Sequence, residues 1–111
     1  MMEKVYRGHL ILLLETVSML QKIDKNDYSQ QLEFRLLTPI LKQFSSKESV
    51  RVISEGLECF GGLGYIESSH LPSILRDAHV NTIWEGTTNI LALDFVNTIF
   101  RNYDSCLKVF Q

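Results

Sequence analysis

A lone carboxylate, Glu85, stands between a bulky aromatic and a glycine in the run Ile83-Trp84-Glu85-Gly86-Thr87-Thr88-Asn89. The indole can strip water from one side of the acid, the glycine leaves the peptide open to a ligand on the other, and the apolar helix that follows would aim its N-terminus at an anion. An acid so placed can accept a proton. The same residue types also describe a solvated cap at a helix start, and on these residues alone both readings stay open.

Upstream lies Glu58-Cys59-Phe60-Gly61-Gly62-Leu63-Gly64-Tyr65-Ile66-Glu67, and between the two runs comes Leu75-Arg76-Asp77-Ala78. The ordered set, a Gly-Gly-x-Gly-Tyr turn, then Arg-Asp-Ala, then Trp-Glu-Gly-Thr, resembles the C-terminal helical domain of the acyl-CoA dehydrogenase superfamily. The wording is closest to the branch of adaptive-response, alkylation-repair-associated flavoproteins, with Leu37-Thr38-Pro39 and Asn89 to Asp94 adding to the likeness. It covers nearly all of the chain and is strongest from Leu32 to Asp94.

What the resemblance implies is α,β-dehydrogenation of an acyl-CoA thioester. That reaction needs a base for the α-proton, a flavin to accept hydride from the β-carbon, and donors for the charge growing on the thioester carbonyl. By resemblance Glu85 is the general base, and its own backbone N–H helps polarise the carbonyl together with a flavin ribityl hydroxyl. A free Glu titrates at about 4.3, so burial beside Trp84 and the acyl chain would have to raise it.

The resemblance further implies that Gly61, Gly62 and Thr87 contact FAD, the glycine pair across a subunit boundary, and hence a homo-oligomer. Trp84 and Gly86 then line the thioester site. Electron-transfer flavoprotein is the implied acceptor in dehydrogenases, and oxygen in oxidases. Taken without the family, Gly61-Gly62 reads as a helix stop. The chain departs from the family at Glu58, where Gln is common and a carboxylate would repel a phosphate, and at Trp84, where Tyr is common and a flat wall serves equally well. Arg76 and Asp77 read as a structural pair, and Glu55 and Asp94 as solvated or capping acids.

The elements that must position these residues follow from apolar spacing. Tyr6, Leu10, Leu13, Val17 and Leu20 set one stripe on a helix from about Met2 to Lys22; Ile11, Leu12 and Leu14 widen it beyond what one neighbour covers, and Gly8 weakens the helix by about 1 kcal/mol. Asp24-Lys25-Asn26-Asp27 reads as a loop, and Asp27 with Gln30 has capping-box spacing for a second helix from Tyr28. Its stripe, Leu32, Leu36, Leu37, Ile40, Leu41 and Phe44, passes through Pro39, which predicts a kink. A further stripe, Val50, Ile53, Leu57 and Phe60, is rotated from the first, so either Ser45-Ser46 breaks the helix or one bent helix changes neighbours.

A short helix is expected near Pro72 to Ala78. The last, from about Thr87 to Asn102, carries apolar residues on most sides and is expected to be central. No stretch alternates as a strand would. The fold class is therefore all-α: an up-and-down bundle of four main helices with a smaller fifth, in one domain spanning residues 1–111.

Composition narrows the function. Hydrophobic residues make up 45% and charged residues 22%, as in ordinary globular domains, and the formal net charge of −2 comes without a basic run, which argues against nucleic acid. The longest apolar run, Leu10 to Leu14, is too short for a membrane span, and no signal or transit peptide is read. Cys59 and Cys106 read as free thiols in a reducing compartment, with a disulfide the lesser alternative, and the three dispersed histidines suggest no metal. The resemblance implies mitochondria or peroxisomes in a eukaryote and the cytoplasm in a bacterium.

Members of that superfamily are several times longer, and their N-terminal helical and middle β-domains supply much of the flavin and thioester site. The chain thus reads as the last domain alone, whether as a truncated product, an excised domain or a partial gene, and is expected to be inactive in isolation. The alternative is a non-catalytic module whose wide apolar stripes bind partner helices. A role in alkylation protection, which would call for nucleic-acid contact, is the least favoured reading.

Overall fold

The computed structural model describes residues 2–23 and 27–109, the side chains of the last two excepted. The loop expected at Asp24-Lys25-Asn26 lies outside the described residues. Six helices follow in order: α1 (Met2–Lys22), α2 (Tyr28–Cys59), the single turn α3 (Gly62–Tyr65), α4 (Leu71–Val80), α5 (Thr88–Arg101) and α6 (Tyr103–Val109). A 3-10 turn, Glu67–Ser69, joins α3 to α4, and the described residues contain no strand.

The hub is α2. Its 32 residues, about 48 Å at the usual helical rise, set the long dimension of a molecule measuring 54 × 25 × 22 Å. Asp27 caps it as expected, its carboxylate accepting the N–H groups of Ser29 at 3.0 Å and Gln30 at 3.3 Å. Such a cap contributes about 1 kcal/mol. The helix runs uninterrupted through Pro39, whose buried ring offsets the lost backbone hydrogen bond.

Ser45 and Ser46 do not break it either. The Ser46 hydroxyl donates back to the Lys42 carbonyl at 2.7 Å, and Ser49 to the Ser46 carbonyl at 2.8 Å, so these polar side chains are satisfied inside the helix. Of the two alternatives the sequence left open, one continuous helix that changes neighbours is the one adopted.

Helices α1, α4, α5 and α6 pack on α2, and α1 and α5 pack on it rather than on each other. Leu32 and Leu36 of α2 and Cys106 of α6 form the buried cluster, with Phe95 and Ile99 of α5 against it. Two expectations are thereby corrected. First, α5 is not central: it has no buried residue, and Ile90, Leu93, Val96 and Phe100 are exposed. An apolar circumference meant burial on all sides, but α2 lies along one side only.

Second, the stripe Tyr6, Leu10, Leu13, Val17 and Leu20 is exposed throughout. The face of α1 turned to α2 is the adjacent one, Val5, His9, Leu12, Thr16 and Met19, displaced by one residue, or roughly 100° around the helix. It carries polar members that a hydrophobic search passes over. The Thr16 hydroxyl is satisfied by the Leu12 carbonyl at 2.7 Å, and the His9 ring donates to the Val5 carbonyl at 2.7 Å and stacks on Phe44.

Candidate functional site

Glu85 closes the turn that links α4 to α5, and the turn is built from its ends. Thr82 and Ile83 donate their N–H groups to the carbonyls of His79 and Val80, continuing α4 as tight turns. The Trp84 N–H also reaches Val80, and its indole N–H donates to the Asn81 side chain at 3.1 Å. Then the backbone inverts: Glu85 has φ 58° and Gly86 φ 115°. The left-handed region costs an L-residue about 1–2 kcal/mol, so glycine suits position 86 and a glutamate at 85 is strained.

A cation from α2 holds this inversion. Lys42 Nζ donates to the Trp84 carbonyl at 2.8 Å and to the Gly86 carbonyl at 2.7 Å, tying the Trp84–Glu85 and Gly86–Thr87 peptides to the middle of the hub helix. Around it lies an open recess of about 310 Å³ lined by Lys42, Ser45, Ser46, Ser49, Asn81, Trp84 and Glu85. The sequence reading missed Lys42. Its only mark is a place on a polar strip, Thr38, Lys42, Ser45, Ser46 and Ser49, on a helix that mixes apolar and charged residues.

Glu85 itself is exposed, and Trp84 is 57% exposed. The dry carboxylate expected from the sequence is not supplied by the described residues, because Trp84 leans toward Asn81 and Glu85 stays exposed. Thr87 is the N-cap of α5 with an extended backbone, yet its side chain makes no capping hydrogen bond. Its hydroxyl is free for a ligand.

The glycine motif sits elsewhere, at the C-terminal end of α2. Gly61 has φ 56°, and its N–H is taken by the Glu58 carbonyl at 3.0 Å. A Cβ on Gly64 would lie 2.2 Å from the Leu57 carbonyl oxygen, so that glycine is needed for close packing of α3 on α2. Gly62 has neither constraint: its φ is ordinary and a Cβ would meet nothing within 4 Å. The fold does not require glycine there, which suits the close approach of something outside the chain.

From Lys42 to Cys59 is about 17 residues of helix, roughly 25 Å. Glu85 with Trp84, Gly86 and Thr87 therefore forms one cluster, while Gly61 and Gly62 are not brought to it. Between the two, Arg76 grips Glu67 through both carboxylate oxygens, at 2.8 and 2.9 Å, instead of pairing with Asp77 as expected. Asp94, expected to be solvated or capping, accepts from Arg35 at 2.6 Å. Both cysteines are free. Among the described residues there is no cluster suited to a metal and no helix long and apolar enough to cross a membrane.

Comparison with known proteins completes the description. The family profile described as acyl-CoA dehydrogenase, C-terminal domain, matches residues 3–99. Acyl-CoA dehydrogenase family member 11 of Caenorhabditis elegans is 43% identical over 111 residues, covering 98% of this chain and 18% of that protein. Putative acyl-CoA dehydrogenase AidB of Escherichia coli is 40% identical over 73 residues, covering 66% of this chain and 14% of that protein. The crystal structure of Caenorhabditis elegans ACDH-11 in complex with C11-CoA superposes with a TM-score of 0.76 at 44% identity, over 86% of this chain and 17% of that one. The chain thus spans less than a fifth of the length of these relatives.

Proposed function

This chain belongs to the acyl-CoA dehydrogenase family, as its C-terminal domain, and from that premise we propose that it contributes the catalytic base of a flavin-dependent α,β-dehydrogenation of an acyl-CoA thioester. Residues 1–111 act as one domain, inactive alone, and the remaining walls of the site come from outside them. The observation that supports this reading most is the strained left-handed Glu85, which keeps an acid at the mouth of α5 at an energetic cost that glycine or asparagine would avoid.

In this reading the Glu85 carboxylate takes the α-proton of the thioester. FAD supplies the hydride acceptor when bound. Trp84 offers a flat apolar wall, and Gly86 leaves the approach to the peptide open. Because the recess admits water in this chain alone, the acyl chain and the neighbouring domains must dry Glu85 before it becomes an effective base. The free Thr87 hydroxyl and the unobstructed Gly62 fit the polar groups of a dinucleotide.

The separation of the two ends along α2 supports a division of labour, Glu85 and Thr87 serving one flavin and Gly61-Gly62 the flavin of a neighbouring subunit. A homo-oligomer follows. Electron-transfer flavoprotein is the acceptor we assign to the complete enzyme.

The test is Glu85→Gln in the flavin-loaded protein that carries this domain with the rest of the enzyme. Loss of acyl-CoA-dependent flavin bleaching with flavin still bound is the expected result, and bleaching at the unaltered rate would falsify the assignment. A second reading, a non-catalytic helical interaction module, is favoured by one observation, the uncovered apolar row on α1. An assembly that stays colourless when mixed with FAD and desalted supports that reading instead.

A further inference from the structure

Resting on Glu85 as the base, we propose that Lys42 is a positioning residue that aims and polarises the Glu85 peptide N–H toward the thioester carbonyl. The carbonyl of Trp84 and the N–H of Glu85 belong to the same planar trans unit, so they point in opposite directions. Lys42 holds that carbonyl against α2 at 2.8 Å, and the Glu85 N–H is thereby turned away from α2. The Gly86 carbonyl, at 2.7 Å from the same ammonium, turns the Thr87 N–H outward in the same manner.

Neither N–H has a hydrogen-bond partner among the described residues. Both are available donors. Each belongs to a peptide whose oxygen accepts from a cation, and such charge-assisted bonds draw electron density through the amide and strengthen the opposite N–H. A carbonyl oxygen that gains negative charge as Glu85 removes the α-proton gains most from a donor oriented and polarised beforehand.

The residue type fits the task. A compact ammonium with three donors reaches two carbonyls from one side, which the flat fork of an arginine does less well. Positive φ at Glu85 and Gly86 is the backbone setting in which both flanking carbonyls meet one nitrogen. Strain at the base and the lysine tie are thus parts of one arrangement.

Amide spectra of the 111-residue chain test the local claim. In Lys42→Met the Glu85 and Thr87 amide proton signals move upfield while those of Leu32 and Leu36 in the core stay in place, and Lys42→Arg moves them part of the way back. Unmoved Glu85 and Thr87 signals, in a variant whose core signals show it folded, overturn the proposal.

Flavin bleaching by acyl-CoA in the loaded enzyme tests the functional claim. Lys42→Met slows the bleaching step about 10- to 100-fold, the scale of weakening one oxyanion donor, with the half-saturating acyl-CoA concentration unchanged. If Lys42→Met bleaches at the wild-type rate while Glu85→Gln does not bleach, the role of Lys42 fails and the base survives. If Glu85→Gln itself bleaches normally, the underlying reading fails first.

Discussion

Arg76 and Glu67 face each other as fork and carboxylate, two parallel hydrogen bonds of 2.8 and 2.9 Å spanning the step from the 3-10 turn to α4. The pair lies in solvent, 60% and 70% exposed, yet the Arg76 hydrogen bond holds the Glu67 carboxyl below its ordinary value near 4.5. A lowered folded-state value means that Glu67 stabilises the fold above its unfolded value and that the contribution disappears as pH falls through the folded one. We expect the thermal midpoints of wild type and Arg76→Gln to differ near neutral pH and to converge on acidification below 4.5. A side-chain titration by NMR should show the Glu67 value rising in the variant, and salt should shrink the difference because the pair is exposed.

The two glycines of the Gly-Gly-x-Gly turn that look alike in sequence should behave differently. Gly64→Ala forces a methyl into the Leu57 carbonyl and unseats α3 from α2, so urea denaturation of the isolated chain should report a clear loss of stability, about 1–3 kcal/mol. Gly62→Ala should leave that transition unchanged. In the complete flavoprotein it should release flavin on desalting, and equal stability losses for both variants would show that Gly62 is held by the fold after all.

Function and stability should oppose each other at position 85. Asparagine accepts the left-handed backbone that glutamate is forced into, so Glu85→Asn should stabilise the isolated chain by about 1 kcal/mol. The same change removes the proposed base at its proper reach. A denaturation midpoint that falls instead would mean that the Glu85 side chain makes a compensating contact in the free chain.

Gly8 on α1 gives a simpler expectation. A Cβ there meets nothing within 4 Å, and alanine is the better helix former by about 1 kcal/mol, so Gly8→Ala should raise the chain's stability by that order. Circular dichroism during urea titration measures it. If the gain vanishes in the complete enzyme, another backbone comes close to Gly8 there.

The all-helical architecture could be read from spacing, and so could the Asp27 cap, because both are properties of neighbouring residues. What the spacing could not tell was which apolar face would be covered. On α1 the most hydrophobic row faces water and a mixed row with His9 and Thr16 faces α2, since the covering surface depends on what else is packed nearby. Helix α6 and the burial of Cys106 escaped notice for a related reason: a seven-residue helix is too short for a period to stand out, and its place is set by α2 and α5.

At the proposed site, the motif pointed to Glu85 and its neighbours, whereas Lys42, which binds the carbonyls of Trp84 and Gly86, is over forty residues away in the chain. A lysine in the middle of a long helix usually signals a solvated face. Its two carbonyl partners belong to main chain, which has no sequence signature at all.

The row Tyr6, Leu10, Leu13, Val17 and Leu20 makes the outer side of α1 adhesive in water. How the purified chain handles, whether it clings to hydrophobic resins, clusters as concentration rises or binds an environment-sensitive dye, will be governed by that one side of one helix and not by the small buried cluster of Leu32, Leu36 and Cys106. A few charges placed along it should turn a sticky preparation into a well-behaved one without touching Lys42 or the turn it holds.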